Sequence, residues 1–260
     1  MTTDINAVVP TELETIAYLN SLPPRIHPRA LSTRSAAEDK SDSIAEISKK
    51  SPVMVAFADG VSKKNRDAVL LGVEFGEAVA NSKSNVESDP VQWLREYTEA
   101  LRHAGWLTLG GSEYGEYTTS NKSLTMDSIV MELVSSIAGP NATTVLALMN
   151  FALDRLQKTD SLMKLFERNA KSGNTSSFRV VPCIESSEGI PMTYLVSVHA
   201  NYHTDAGGAL FWKWSISKMS VKRLAKGVQF SQASFERNKD KINAYMGAEA
   251  DEFFESLKKK

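Results

Sequence analysis

Residues that could do chemistry gather between positions 193 and 214, in the stretch TYLVSVHANYHTDAGGALFWKW. The candidates for a polar surface site are His199, Asn201, His203 and Lys213. The two histidines lie four residues apart, which on a strand is about 13 Å at ~3.3 Å per residue. That separation is too long for both imidazoles to bind one metal ion through bonds of about 2 Å. We therefore assign no metal, cofactor or catalytic residue here, and expect the histidines to be exposed or bonded to neighbours.

Alternation of apolar and polar residues predicts that the same stretch forms a β-hairpin. A three-residue loop at 205–207 would pair Val198 with Trp214. This register places Trp212 and Trp214 on the side of the valines, and the histidines with Lys213 on the other side. A hairpin of this length can rest on helices or cross a bilayer as part of a barrel, and the first arrangement is far commoner.

Two further patterns carry nucleophiles. Ser161 and Lys164 match Ser-x-x-Lys, a spacing that puts a hydroxyl and an amine on one face of a helix. Cys183 follows FRVVP on a predicted strand, where a lone cysteine is usually a small buried apolar residue. A hydrolase-like enzyme that uses Ser161 or Cys183 with a histidine stays open as an alternative. Neither pattern is specific, so we expect a protein without catalytic activity.

Charge and cysteine content narrow the class of protein further. The chain has 260 residues, with 30 basic and 31 acidic side chains and a net charge of -1 at pH 7. Binding to nucleic acid usually requires a cationic excess, so we expect no nucleic-acid partner. A single cysteine excludes an intrachain disulfide. No secretory signal is recognisable, so a cytoplasmic location is the default expectation and export without a cleaved signal stays open.

The first elements are a helix and an arm. Thr11 and Glu14 stand at capping-box spacing at the start of TELETIAYLNS, which predicts a short helix. The prolines and the polar, serine-rich run that follow predict a flexible arm with weak helices over residues 1–52. Residues 53–260 are predicted to form one domain, with helices to about 171, strands over about 178–230 and C-terminal helices over 232–258.

Two longer helices follow the arm. The segment SKKNRDAVLLGVEFGEAVANS carries Gly72 and Gly76 four residues apart, which permits a neighbour to approach closely. The segment SDPVQWLREYTEALRHAGW has Ser88 or Asp89 as a cap and a proline in its first turn. The glycine-rich segment GWLTLGGSEYGEYTTSN then predicts a loop or a short hairpin.

An uncharged segment lies in the middle of the chain. Residues 125–171 predict two or three helices, and the 21 residues between Glu132 and Asp154 carry no charge. A segment of that length can span a membrane. Gly139 and Pro140 near its middle favour a buried helical hairpin over 129–153 at the centre of the molecule. Some helical pore-forming proteins hold their insertion segment in this way, so insertion into a membrane stays open.

Helices followed by consecutive strands, without regular alternation, predict the α+β class. We predict a helix-rich bundle around the uncharged hairpin, covered by a three- to four-stranded antiparallel sheet from the C-terminal third. The leading functional interpretation is a non-catalytic binding or protein-interaction protein with a protein or small-ligand partner. The alternative is a membrane-active protein, such as a toxin or virulence effector of the pore-forming type. The oligomeric state does not follow from the sequence.

Overall fold

The computed structural model describes residues 9–24, 44–118, 123–202, 213–215, 219–247 and 254–257. The helices are α1 (Glu12–Ser21), α2 (Lys63–Lys83), α3 (Pro90–His103), α4 (Met126–Ala138), α5 (Ala142–Lys158), α6 (Asp160–Ala170) and α7 (Gln232–Met246), and a 3-10 turn (Gly139–Asn141) joins α4 to α5. The strands are β1 (Ile44–Ser48), β2 (Val53–Phe57), β3 (Trp106–Glu116), β4 (Ser123–Thr125), β5 (Lys171–Ser172), β6 (Thr175–Glu185), β7 (Pro191–Tyr202), β8 (Lys213–Ser215), β9 (Met219–Phe230) and β10 (Phe254–Leu257).

Eight of the described strands form one mixed sheet. Its order is β10–β1–β2–β6–β7–β9–β3, and β5 also pairs with β6. β2 and β6 run parallel, whereas the other neighbouring pairs run antiparallel. β4 and β8 form a separate two-stranded sheet. The predicted fold class is therefore wrong: the sheet is mixed, larger than three to four strands, and takes strands from both halves of the chain.

The sequence analysis missed five strands of this sheet, β1, β2, β3, β5 and β10, and two of them show why. All five residues of β2, VMVAF, are buried. A strand covered on both faces is apolar throughout and shows no alternation, so the pattern of a half-buried strand is absent. β3 was predicted as a loop or short hairpin because of its glycines. Its pairing with β9 shifts register between Thr108 and Gly111 and again between Ser112 and Gly115, and such bulges accommodate glycine.

Helices cover both faces of the sheet. On β6, Phe178 contacts Phe166 of α6, whereas the next residue, Arg179, bonds to Glu77 of α2. Successive residues of a strand point to opposite faces, so α6 and α2 lie on opposite sides. α4 and α5 pack with α6 against β2, β6, β7 and β9, while α2, α3 and α7 pack together on the other side. We call these the α4–α6 face and the α2–α3 face. The predicted central hairpin is thus one outer layer of the molecule.

The predicted pairing of β7 is also wrong. β7 pairs with β6 on one side and with β9 on the other, so Val198 faces Arg223. Trp214 is instead opposite Leu124, in the small sheet of β4 and β8. The predicted loop at 205–207 and Trp212 lie outside the described residues. The polar and apolar alternation of β7 was real, but alternation alone does not select the partner strand.

The N-terminal helix begins as predicted. Thr11 and Glu14 form a capping box at the start of α1. The ring of Tyr18 stacks on His103 of α3, with 4.0 Å between ring centroids. Thr15 Oγ1 lies 3.1 Å from Nδ1 of the same histidine, and α1 also packs on α7. The division of the chain near residue 52 stays a prediction, while at the C-terminal end Phe254–Leu257 form a strand where the sequence predicted helix.

The paired glycines of α2 admit aromatic rings. A Cβ atom at Gly72 would lie 2.5 Å from Trp106 Nε1, and one at Gly76 would lie 2.9 Å from Tyr97 Cε2. Both separations are shorter than van der Waals contact. The glycines therefore allow β3 and α3 to pack against α2. The spacing of the two glycines had predicted such a close approach.

Replacing Gly72 with alanine should lower the free energy of unfolding by about 1–3 kcal/mol, because the new methyl group overlaps the fully packed Trp106 ring. This sign is the reverse of the usual effect of alanine in a helix, which stabilises by up to ~1 kcal/mol. Urea unfolding followed by circular dichroism measures the change.

Gly227→Ala is the matched control, since the nearest heavy atom to its Cβ would be Ile137 O at 4.0 Å. We expect this variant to be neutral or more stable by up to ~1 kcal/mol. A Gly72→Ala protein as stable as the Gly227→Ala protein would refute the packing role.

Candidate functional site

The residues of the predicted polar site are divided between two sheets. His199 and Asn201 lie on β7 and share one face of that strand. Lys213 is on β8, where it pairs with Thr125 of β4. His203 lies outside the described residues. Asn201 is exposed, whereas only 8% of the surface of His199 is exposed. A surface site shared by the four predicted residues stays a prediction.

His199 lies in a polar environment on the α2–α3 face. Its cross-strand neighbours are Ser177 on β6 and Lys222 on β9. Burial lowers the pKa of His199, the Lys222 ammonium lowers it further, and the Glu87 carboxylate acts in the opposite direction. The imidazole is therefore neutral at neutral pH. Its Nδ1 is shielded from solvent and has no hydrogen-bond partner in the described part of the chain.

The candidate nucleophiles lie apart from both described histidines. Cys183 is opposite Thr193, which precedes His199 by six residues, or about 20 Å along the strand. The Cys183 thiol is buried, and burial raises its pKa. Ser161 is exposed on α6, on the other side of the sheet from His103. Within the described ranges, the structure brings neither nucleophile together with a histidine.

A buried ion pair lies at the centre of the α2–α3 face. Arg179 Nε and Nη2 donate to the two carboxylate oxygens of Glu77, each over 2.7 Å. Both side chains are 1% exposed. The guanidinium carbon of Arg179 lies 4.5 Å from the ring centroid of Trp93, and Trp93 Nε1 donates to Asn81 Oδ1 over 2.7 Å. This network ties α2, α3 and β6 together inside an apolar core.

The ion pair was not predicted, although the sequence contains a signal for a buried charge. Arg179 interrupts the apolar run FRVVP, and Glu77 follows Gly76 in a helix whose neighbours are mostly apolar. Charged residues are almost never fully buried unless they are paired, so an isolated charge in an apolar run suggests a buried partner. The two residues are 102 positions apart, and nothing local identifies one as the partner of the other.

The second candidate site is the pair of helices α4 and α5. Their inward side chains are apolar and buried, and they come from both helices: Met126, Ile129, Val130, Leu133, Val134, Ala138, Val145, Leu148, Met149, Ala152, Leu153 and Leu156. Between Glu132 and Asp154, the exposed residues are small and neutral: Ser135, Ser136, Gly139, Pro140, Thr143, Thr144, Ala147 and Asn150. The outer surface of this helical pair is therefore in contact with water and uncharged.

The turn between the two helices contacts the sheet. Gly139 has a φ of +52°, in the left-handed region that favours glycine. Asn141 Nδ2 donates to the hydroxyl oxygen of Tyr194 on β7 over 3.0 Å. A cavity of about 340 Å³ lies beside the turn, with Ile137 and Met192 among the lining residues. The turn thus has a polar contact and an unfilled apolar space next to it.

One described helical stretch, Met126–Lys158, is long and apolar enough to cross a membrane by length and composition. Its best window of 18 residues has a mean hydropathy of 1.3, and 33% of that window is buried inside the molecule. The core helix of a soluble protein passes the same test, but such a helix is mostly buried. In α4 and α5 the large apolar side chains are buried, whereas the exposed residues of the stretch are small and neutral.

Comparison with known proteins gives a weak likeness in structure. No family model matches the chain, and no curated protein matches it. The structure of the Evf virulence factor is 14% identical, covers 89% of this chain and 88% of its own, and has a TM-score of 0.41. A delta-endotoxin is 10% identical, with coverage of 81% and 91% and a TM-score of 0.35. Neither likeness decides what this chain does, so its function is argued from its own residues.

Replacing Glu77 with glutamine should lower the free energy of unfolding by about 3–5 kcal/mol, because the variant leaves a buried guanidinium without its counter-charge. Urea unfolding at neutral pH measures this loss. The double variant Glu77→Met with Arg179→Met is the control. It should recover most of the stability, since apolar residues of similar volume often replace a buried ion pair at no cost. Equal losses in the single and double variants would contradict a charge-compensated pair.

Proposed function

We propose that this chain is a membrane-active protein of the toxin or virulence-effector type, whose α4–α5 pair enters a lipid bilayer. The observation that supports the proposal most directly is the uncharged outer surface of these helices. The 21 residues between Glu132 and Asp154 include no charged side chain, although many of them face water. Surface helices of soluble proteins normally place charged residues on the solvent side. An exposed surface without charge is compatible with both water and lipid.

The absence of charge matters because of the cost of transfer into lipid. Each lysine, arginine or aspartate at the centre of a membrane helix adds about 2.5–3.5 kcal/mol to the free energy of insertion. The exposed residues of α4 and α5 add no such cost. Some of their hydroxyls are already satisfied within the helix, as Ser136 Oγ donates to Leu133 O over 2.7 Å. The inward side chains lose little, because lipid tails are as apolar as a protein core.

The length of the uncharged segment also fits a bilayer. As one continuous helix, 21 residues would measure about 31 Å at 1.5 Å per residue. The hydrocarbon core of a bilayer is ~30 Å thick. Pro140, near the middle, is compatible with this, because proline is tolerated in membrane helices. Glu132 and Asp154 would then lie at the two headgroup layers.

Insertion would break polar contacts that hold the helical pair in place, and the two shortest described ones are these. One joins Asn141 to Tyr194 at the turn. In the other, the Tyr117 hydroxyl donates to Glu132 Oε2 over 2.5 Å. The remaining contacts described for these helices on β7 and β9 are mainly apolar packing. Apolar packing has no preferred direction, so lipid can replace it.

A binding or interaction role, a protein or small-ligand partner and a cytoplasmic location remain predictions of the sequence. Membrane activity differs from a binding role in a way that can be measured. It requires α4 and α5 to leave the sheet, whereas a binding role leaves them in place.

Release of a fluorescent dye from vesicles of phosphatidylcholine and phosphatidylglycerol tests the proposal at neutral and at acidic pH. The unmodified protein should release the dye at one of these pH values at least. The double variant Thr144→Lys with Ala147→Lys should lose release by at least ~100-fold, because two buried charges cost about 5–7 kcal/mol in the membrane. Both positions are exposed, so the fold should be unaffected. No release of dye by the unmodified protein at either pH value would count against insertion.

Ser161→Lys is the matched control, since it adds a charge at an exposed position of the neighbouring helix α6. It should release dye as the unmodified protein does. Cys183 is buried, so Ala147→Cys and Ser161→Cys can each be labelled at one site with an environment-sensitive dye. Emission should rise several-fold on vesicle addition for the label at 147 and stay constant for the label at 161. Equal changes at both positions would indicate surface adsorption without insertion of α4 and α5.

A further inference from the structure

A second cavity lies on the α2–α3 face, on the other side of the sheet from α4 and α5. Its volume is about 230 Å³, and residues of α3, β3 and β9 line it. The wall on α3 is formed by residues one helical turn apart: Val91, Leu94, Arg95 and Thr98. The floor is formed by residues of β3 and β9: Thr108, Tyr114, Leu224 and Lys226.

The floor is a continuous patch of sheet. Thr108 on β3 is directly opposite Val228 on β9. Lys226 and Leu224 precede Val228 by two and four residues, so all three point to the same side of β9. Diagonal neighbours on adjacent strands lie about 7–8 Å apart. The side chains of Thr108 and Lys226 therefore border the cavity from neighbouring strands.

Two hydroxyl groups of the floor lack partners. Thr108 Oγ1 and Tyr114 OH are shielded from solvent and form no hydrogen bond within the described residues. A hydroxyl without a partner in such a place costs about 1–3 kcal/mol, and buried polar groups in proteins are nearly always bonded. Both hydroxyls can therefore donate to an acceptor that enters the cavity.

Two cationic side chains, Arg95 and Lys226, are among the residues that line the cavity. The Lys226 side chain is 6% exposed, while Arg95 is exposed at the rim. The lining residues that the structure describes include no carboxylate. An anion is attracted more strongly in a partly desolvated cavity than in water, because the effective dielectric constant is lower.

We propose that this cavity binds a small phosphate monoester. The phosphate would lie between Arg95 and Lys226, with the hydroxyls of Thr108 and Tyr114 as further donors. A phosphate offers more acceptor oxygens than a carboxylate does, and arginine and lysine are the side chains that commonly hold it.

Three features of the cavity are consistent with this ligand. Burial, and to a lesser degree the Glu116 carboxylate, raises the pKa of Tyr114 to about 12, so its hydroxyl keeps its proton at neutral pH and can donate it. Leu94 and Leu224 provide apolar contacts for the organic part of an ester. The volume is below the range of about 300–1,000 Å³ that drug-sized ligands occupy, which restricts the ligand to a small molecule.

Isothermal titration calorimetry with phenyl phosphate tests the proposal. The unmodified protein should bind it saturably, and Arg95→Gln and Lys226→Met should each weaken binding at least ~10-fold, because each removes a charged hydrogen bond. Thr108→Val and Tyr114→Phe keep the shape of the side chain and should weaken binding about 2–10-fold. If their melting temperatures are unchanged, misfolding cannot account for that loss. Lys164→Gln removes an exposed cation on α6 and should bind as the unmodified protein does.

Vesicles that contain phosphatidic acid identify the source of the phosphate group. If phenyl phosphate binding and vesicle binding are both lost in Arg95→Gln and Lys226→Met, the ligand is a lipid headgroup. If only phenyl phosphate binding depends on these residues, the ligand is a soluble ester. No saturable binding of phenyl phosphate, or an affinity that is unchanged in both variants, would overturn the proposal.

Discussion

The bond between Arg179 and Glu77 sets the position of α2 on the sheet, and the rest of the α2–α3 face is arranged around it. Removing two charges from water costs several kcal/mol per ion, and only good geometry recovers that cost. Here the geometry consists of two parallel bonds of 2.7 Å and a stacked indole. Because apolar residues could supply similar stability, we infer that the pair serves to select one arrangement of α2. Once α2 is placed, Gly72 and Gly76 admit the rings that position β3 and α3.

The two faces of the sheet are held by different kinds of contact. The α2–α3 face has directional bonds between buried polar groups, and removing one partner leaves the other buried without a bond. The α4–α6 face is held mainly by apolar packing, supplemented by polar contacts such as that of Asn141 with Tyr194. Packing of this kind can be exchanged for contact with another apolar medium. One face is therefore held by directional bonds, while the insertion proposed for α4 and α5 would exchange one apolar contact for another.

Local sequence patterns predicted several helices and strands, whereas pairing between residues distant in sequence could not be predicted. The predicted caps, Thr11 for α1 and Ser88 or Asp89 for α3, correctly marked the helix starts, and Asp89 is the cap of α3. A cap can be predicted because it depends on a few adjacent residues. The absence of charge between Glu132 and Asp154 was also visible in the composition, but the prediction that this segment lies buried at the centre of the molecule was wrong. The partners of β7 and the bond of Arg179 with Glu77 were not visible, because each depends on residues that meet only in the folded chain. β2 was not predicted because a strand that is buried on both faces shows no alternation of apolar and polar residues.

The parallel pairing of β2 with β6 has a consequence for how the chain folds. Val53 pairs with Arg179, so a contact at the centre of the sheet must wait until most of the chain has been synthesised. Contacts between distant positions slow folding, since the entropy of closing a long loop is lost before the contact forms. During that interval the apolar strand VMVAF has an open edge and can pair with other chains. The nascent protein is therefore most vulnerable to aggregation before β6 emerges from the ribosome.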